Sequence, residues 1–211
     1  MSTATLPPPS APMPPPVQSL LASMATFRQT SVAEYEHLTK IGVLTPEDRV
    51  ELIDGFVVNK MPHDDPHAST VDRLDEDLRQ GLPKGWRVRI QLPIRLGNSL
   101  PEPDAVVVRG DRRTYDQRKP TTTDFGTVIE VADSSLRYDR VVKSRMYAAG
   151  SIPIYWIINL IDSIIEVYTD PDTTAEPPAY RTRTDYAPGQ TVPLVLDGQT
   201  IAQIPIADLL P

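Results

Sequence analysis

Two runs of β-branched residues constrain this chain more than any other feature. Ala105-Val106-Val107-Val108 and Thr127-Val128-Ile129-Glu130-Val131 are apolar without a break instead of alternating with polar positions. A strand with one wet face alternates with period two, so continuous runs describe strands covered on both faces. They belong at the centre of a sheet layered on each side. Each carries an acid: Asp104 opens the first run and Glu130 interrupts the second. A carboxylate in such a strand costs several kcal/mol to desolvate, about 3–5 when left unpaired, unless a cation neutralises it. A salt bridge to an arginine at a strand end satisfies one such acid. Two on neighbouring strands, with Glu51 as a third, make a shared divalent cation an equal alternative.

The surrounding pattern supplies the layers. Ser31 and Glu34 form an S-x-x-E capping box, so a short helix is expected from Ser31 to near Lys40. Val50–Ile53 and Phe56–Val58 flank Asp54-Gly55, the signal of a tight hairpin, which places Glu51 on its first strand. Asp65-Pro66 reads as a cap followed by proline at the first helical position. His67, Val71, Leu74 and Leu78 then recur on one helical face until Gly81 and Pro83 end the pattern. Trp86 to Leu92 alternates as a half-exposed strand. Leu136 to Ala149 is helical, with Val142, Met146 and Ala149 on its apolar side and Gly150 as the stop. Ile154–Leu160 and Ile164–Val167 are further strands, and small peripheral strands follow Asp170.

Oxygen ligands without sulfur suit Mg²⁺ or Mn²⁺, which bind through a few acids plus substrate phosphate. Beside such an ion a lysine would complete a phosphodiester-cleaving site, and Lys143 is the candidate. Asp139, Lys143 and Tyr147 fall at i, i+4 and i+8 of a helix, so spacing alone describes Asp139–Lys143 as an ordinary surface ion pair worth about 0.3–0.5 kcal/mol. His63 and His67 are four apart, but Pro66 starts the helix between them. That leaves His63 in the preceding loop, with no helical face to share, and a two-histidine zinc site is not expected. Neither a phosphate-cradling glycine loop nor a nucleophile elbow is present.

Composition sets the remaining bounds. The 211 residues suit one domain and contain no cysteine, which excludes disulfide scaffolds and thiol nucleophiles. No apolar run reaches the length of a membrane span. Residues 1–26 are proline-rich and read as an extended leader, and the first charged residue is Arg28, so no signal peptide is expected and the location is expected to be cytoplasmic. Net charge is -7, yet Lys84 to Lys119 holds nine basic residues against four acidic ones, which is compatible with polyanion binding, although a solvated charged surface is the favoured reading.

Taken in order, S-V-A-E-Y, V-E-L-I-D-G, a histidine opening a helix, P-E-P-D-A-V-V-V, V-I-E-V-A-D-S-S, D-R-V-V-K-S-R-M-Y-A-A-G and I-P-I-Y-W-I-I-N resemble the Uma2 family of restriction endonucleases, within the PD-(D/E)XK nuclease superfamily. The resemblance runs from Ser31 to Thr169. It implies an α/β fold, a restriction-endonuclease-like mixed β-sheet flanked by helices with an α-β-β-β-α-β core, preceded by an N-terminal helix and hairpin. It implies Asp104 and Glu130 as metal-binding acids, Glu51 as an acid placed nearby, and His67 and Tyr147 at recurrent positions. The lysine of the superfamily's E-x-K is replaced by Ala132, and Lys143 is offered from the next helix instead. In Y-W-x-x-D the acid is Asn159, so any role of that acid is lost.

The expected protein is therefore a Mg²⁺- or Mn²⁺-dependent endonuclease acting on DNA, with no membrane partner and a homodimer left open. Lys143, Glu130, Asp104, His67 and Tyr147 would be catalytic, and Asp104, Glu130 and Glu51 would hold the metal. Residues 27–170 would form the nuclease domain, with 171–211 as a β-rich extension packed on it. The alternatives are a catalytically silent nucleic-acid-binding module on the same fold and a metal-dependent phosphoesterase for small substrates.

Overall fold

A computed structural model describes residues 28–211, so the expected leader, residues 1–26, lies outside the described residues. The first element, α1 (Val32–Lys40), is capped by Ser31, whose hydroxyl and backbone N–H trade hydrogen bonds with Glu34 as the sequence predicts. The hairpin β1 (Val50–Ile53) and β2 (Phe56–Asn59) comes next, with Leu52 opposite Val57. Asp54 and Gly55 have φ of 48° and 81°, the pair of positive values that a type I′ turn needs. A Cβ on Gly55 would lie 2.6 Å from Asn98 Nδ2, so both conformation and contact demand glycine.

A six-stranded sheet in the order β3-β4-β5-β6-β7-β8 forms the centre. Its strands are β3 (Trp86–Ile90), β4 (Ala105–Arg109), β5 (Phe125–Ala132), β6 (Ile154–Asn159), β7 (Ile164–Asp172) and β8 (Ala179–Tyr186). Only β5 and β6 pair parallel, which makes the sheet mixed. Every residue of β5 is buried, and so is β4 except for its last, Arg109. Helix α2 (Asp65–Gly81) covers one face of the sheet. Its Val71, Leu74 and Leu78 pack among Val107, Ile129, Val131 and Trp156, and Leu74 and Leu78 are fully buried, worth about 1.5–3 kcal/mol each. On the opposite face Val106, Val128 and Ile157 meet Met146 and Tyr147. The continuous apolar runs are thus explained by two layers.

The helical segment after β5 departs from its predicted periodicity. It consists of α3 (Leu136–Tyr138), a π-helical turn (Asp139–Lys143) and α4 (Ser144–Ala149), with the Ser144 N–H bonded to the Asp139 carbonyl. One extra residue closes that turn, and of the expected apolar side only Met146 is buried. Val142 is half-buried and Ala149 exposed, while Asp139, Lys143 and Tyr147 face inward. The β3 strand also stops short of Leu92, because Gln91 turns out of the sheet with φ of 47°. After Asp170 the chain is not merely peripheral. Strand β8 extends the central sheet, and the hairpin β9 (Thr191–Leu196) and β10 (Gln199–Pro205), followed by α5 (Ile206–Leu209), packs into the α2 side of the core.

Candidate active site

Asp104 sits at the entry to β4, and the antiparallel register with β5, Ala105 opposite Ile129, sets it across from Glu130. Both carboxylates are buried. The Asp104 N–H approaches Glu130 Oε2 at 3.4 Å, and the Val131 N–H donates to Asp104 Oδ2 at 2.8 Å. The hairpin reaches the same place because Leu52 bridges Leu100 in the segment before β4, so buried Glu51 accepts the Glu102 N–H at 3.1 Å.

From the opposite layer the π-turn delivers Lys143, whose ammonium lies 2.8 Å from Glu130 Oε1 and 3.8 Å from Glu51 Oε1. One turn on, the Tyr147 hydroxyl donates to the same Glu130 oxygen at 2.6 Å. The surface Asp139–Lys143 pair expected from i, i+4 spacing is therefore corrected: both residues are buried, and Lys143 pairs across to β5 and β1. Asp139 instead accepts the Ser135 hydroxyl at 2.6 Å.

His67, in the first turn of α2, places Nε2 3.1 Å from Asp104 Oδ2, while its backbone N–H is capped by Asp64, one residue before the cap read from sequence. His63 lies in the loop as predicted and shares no helical face with His67, yet the two imidazoles meet. His63 Nδ1 is 2.9 Å from His67 Nε2, with ring centroids 4.0 Å apart. The loop folds back over the helix start, so no shared helical face is required. His63, His67 and Asp104 each direct a ligand atom into one region, all within 4.8 Å of one another.

The six residues that sequence places in the site, Glu51, His67, Asp104, Glu130, Lys143 and Tyr147, converge, and all but Tyr147 line one open cavity of about 210 Å³. Tyr147 stands behind Glu130. Asp139, Tyr138, Lys60 and His63 also line it, and sequence reasoning misses them. The H-x-x-x-H spacing is the available signal for His63.

The electrostatics follow from burial. Burial pushes the Glu130 carboxyl up to about 8; Lys143 opposes this, while Asp104 and Asp139 add to it. Burial likewise raises Asp139 to about 6, against the pull of Lys143. For Lys143 burial works the other way, but the carboxylates of Glu130, Glu51 and Asp139 outweigh it and hold the ammonium protonated. Burial also disfavours ionised Asp104, yet the His67 hydrogen bond and the Val131 N–H prevail and keep its pKa below the usual carboxylate range. Burial and the neighbouring His67 push His63 below its ordinary value. Glu51, Asp104, Glu130 and Asp139 thus surround Lys143, the one buried ammonium or guanidinium among the described residues. This excess of negative oxygen is what an oxygen-preferring divalent cation offsets, so the donor set fits one.

These shifts make stability pH-dependent. Folded Glu130 holds its proton to about 8, against an ordinary 4.5, so its contribution is complete below about 4.5 and is lost as pH rises toward 8; Asp139 acts in the same sense up to about 6. Metal-free protein should therefore unfold at lower denaturant as pH rises from 5 to 8, and Glu130→Gln should flatten that slope. Equal slopes for both proteins in chelator-treated denaturation curves would refute the assignment.

The basic segment does not form one free face. Arg109 pairs with Asp197, Arg118 with Asp124 and Lys119 with Glu36. Arg109 ends the strand that Asp104 opens, so it and the loop carrying Arg112 and Arg113 lie roughly 17 Å along β4 from the cavity. A second groove, of about 540 Å³, adjoins the cavity through Lys60 and Glu102 and is lined by Lys40, Arg49 and Lys119.

The model of the Uma2 family, described as "Putative restriction endonuclease", matches residues 32–202. The fold is similar to the crystal structure of "a putative nuclease belonging to DUF820" from Anabaena variabilis, with a TM-score of 0.66 at 17% identity over 85% of this chain and 96% of that one. No curated protein matches the chain. No helix among the described residues is long and apolar enough to cross a membrane.

Proposed function

Because this chain belongs to the Uma2 family, whose model spans residues 32–202, we propose that it is a metal-dependent endonuclease hydrolysing DNA phosphodiester bonds. The observation that carries this reading is the placement of Lys143 from the following helix at 2.8 Å from Glu130, in the cavity that also holds Asp104 and Glu51. Chance seldom gathers an ammonium and three acids from four separate elements. In this reading Asp104 and Glu130, helped by Glu51, hold Mg²⁺ or Mn²⁺. The ion, when bound, supplies Lewis-acid polarisation of the phosphate and activation of a water.

The chain's own groups do the rest. Lys143, held protonated by its carboxylate neighbours in the metal-free site, orients the attacking water and offsets charge on the phosphorane-like transition state. Tyr147 holds Glu130 in register through its hydroxyl, and His67 does the same for Asp104. The nuclease domain extends past residue 170, which falls inside β7, and takes in β8 and the β9–β10 hairpin, as the family match to residue 202 also supports.

In calorimetric titrations Mg²⁺ should bind the wild-type protein and not Asp104→Asn. Equal binding would remove Asp104 from the site.

The DNA path in this reading is the adjoining groove, because Lys40 and Arg49 are exposed beside the cavity whereas Arg112 and Arg113 are remote from it. Alanine at Lys40 or Arg49 should each reduce the slope of log affinity against log salt by about 1, since one fewer phosphate is neutralised. The double substitution Arg112→Ala, Arg113→Ala should leave that slope alone. The reverse pattern would move the DNA to the far end of the sheet.

A further inference from the structure

The oxygen-only set Asp104, Glu130 and Glu51 leaves His63 in the same cavity without a role and gives His67 only its contact to Asp104. His67 Nε2 lies 3.1 Å from Asp104 Oδ2 and 2.9 Å from His63 Nδ1. His63 Nδ1 is also 3.0 Å from the other ring nitrogen of His67. A neutral imidazole has a single N–H, so the proton on His67 cannot satisfy all these contacts together. One cation placed among His63 Nδ1, His67 Nε2 and Asp104 Oδ2 takes up two of them, those of His67 Nε2 to His63 and to Asp104.

The spacing also suits a cation. Ligands at about 2.1 Å stand roughly 3.0 Å apart on adjacent octahedral positions and roughly 3.4 Å apart on tetrahedral ones, and the 2.9 and 3.1 Å separations lie near that range. The remaining pair, His63 and Asp104, lies within 4.8 Å, and His63 is exposed on a loop, free to close that edge. Asp104 is already oriented from behind by the Val131 N–H at 2.8 Å and by Gln91 Nε2 at 3.3 Å, the kind of support that fixes a metal ligand. The cavity leaves the other coordination positions open to water or phosphate.

We propose that His63, His67 and Asp104 form a two-histidine, one-carboxylate site for a borderline divalent transition ion of the Co²⁺ or Zn²⁺ class, and that His63 sets the preference for such an ion over Mg²⁺. Imidazole nitrogen favours these ions, whereas Mg²⁺ selects oxygen. The proposal deepens the nuclease reading and rests on it for Asp104 as a metal ligand.

The test is titration of Co²⁺ into the metal-free full chain, followed by visible d–d absorption, with Mg²⁺ as competitor. Wild type should develop a band that saturates near one equivalent and persists under excess Mg²⁺. In His63→Ala the ratio of Co²⁺ to Mg²⁺ affinity should fall at least about tenfold. Folding is not at risk, because the residue is exposed and outside the helix. Glu130→Gln should keep the band, since Glu130 is not in the set. No band in wild type, or an unchanged ratio in His63→Ala, would overturn the site. Plasmid cleavage with Mg²⁺ separates the two readings: a Co²⁺ band without cleavage supports this site while sinking the nuclease, and cleavage without a band sinks this site alone.

Discussion

Lys143→Met should lose about 10²- to 10³-fold in Mn²⁺-supported plasmid cleavage while still binding metal. The expectation rests on where the ammonium lies, 2.8 Å from Glu130 in a cavity also lined by Asp104 and Glu51. A charge preorganised beside the scissile phosphate acts mainly on the transition state, and removing one such group costs two to three orders of magnitude. A surface ion pair with Asp139 would have made the same substitution nearly silent, at a few tenths of a kcal/mol. Cleavage rates of wild type, Lys143→Met and Glu130→Ala, each with metal binding measured, decide the matter. Loss in both variants with metal retained by Lys143→Met agrees with the mechanism. Full activity in Lys143→Met would leave the lysine structural, and cleavage surviving in Glu130→Ala would betray a contaminant. No cleavage by wild type on any form of DNA would favour a silent binding module.

The second large effect is on stability and concerns the position where the family pattern has an acid. Asn159 ends β6, fully buried, and its Nδ2 donates to Glu166 Oε1 at 2.9 Å and to Asp162 Oδ2 at 2.8 Å. Glu166 is itself buried, held by Arg140 and Arg183 and by the Tyr168 hydroxyl. Asn159→Asp would replace those donors with a carboxylate facing two others. Leaving a buried charge opposed in this way costs about 3 kcal/mol or more. For a chain of this size that is a fall in melting temperature of roughly 6–12 °C. The loss should shrink as pH falls into the carboxylate range, because a proton shared between the two acids relieves the repulsion. An unchanged melting temperature at neutral pH would show that the network tolerates the acid. Asparagine suits this buried position because its Nδ2 faces the carboxylates of Glu166 and Asp162.

Much of the architecture is legible in residue order because it depends on local rules. Continuous apolar runs mark β4 and β5 as central, and the structure covers them on both faces. The Ser31–Glu34 box, the Asp54-Gly55 turn and the stripe from His67 to Leu78 each fold as their spacing demands. The acids Asp104 and Glu130 stand out for the same reason, since a carboxylate in an apolar strand needs a partner wherever that partner comes from.

What the local pattern cannot contain is how residues from separate elements meet. Spacing of i, i+4 describes Asp139–Lys143 as a surface pair, but the face they share with Tyr147 is the one turned to the sheet, where Lys143 and Tyr147 meet Glu130. His63 shares no helix with His67, yet a folded-back loop joins them without one. The basic stretch resembles a single face only while charges near in sequence are counted together, whereas tertiary pairing ties Arg109, Arg118 and Lys119 to Asp197, Asp124 and Glu36. Sequence by itself determined which segments become helices and strands, and which acids could not stay unpaired, because capping, turn chemistry and periodicity act within a few residues. Only the tertiary structure decided which cation each acid meets, because that depends on packing between layers far apart in the chain.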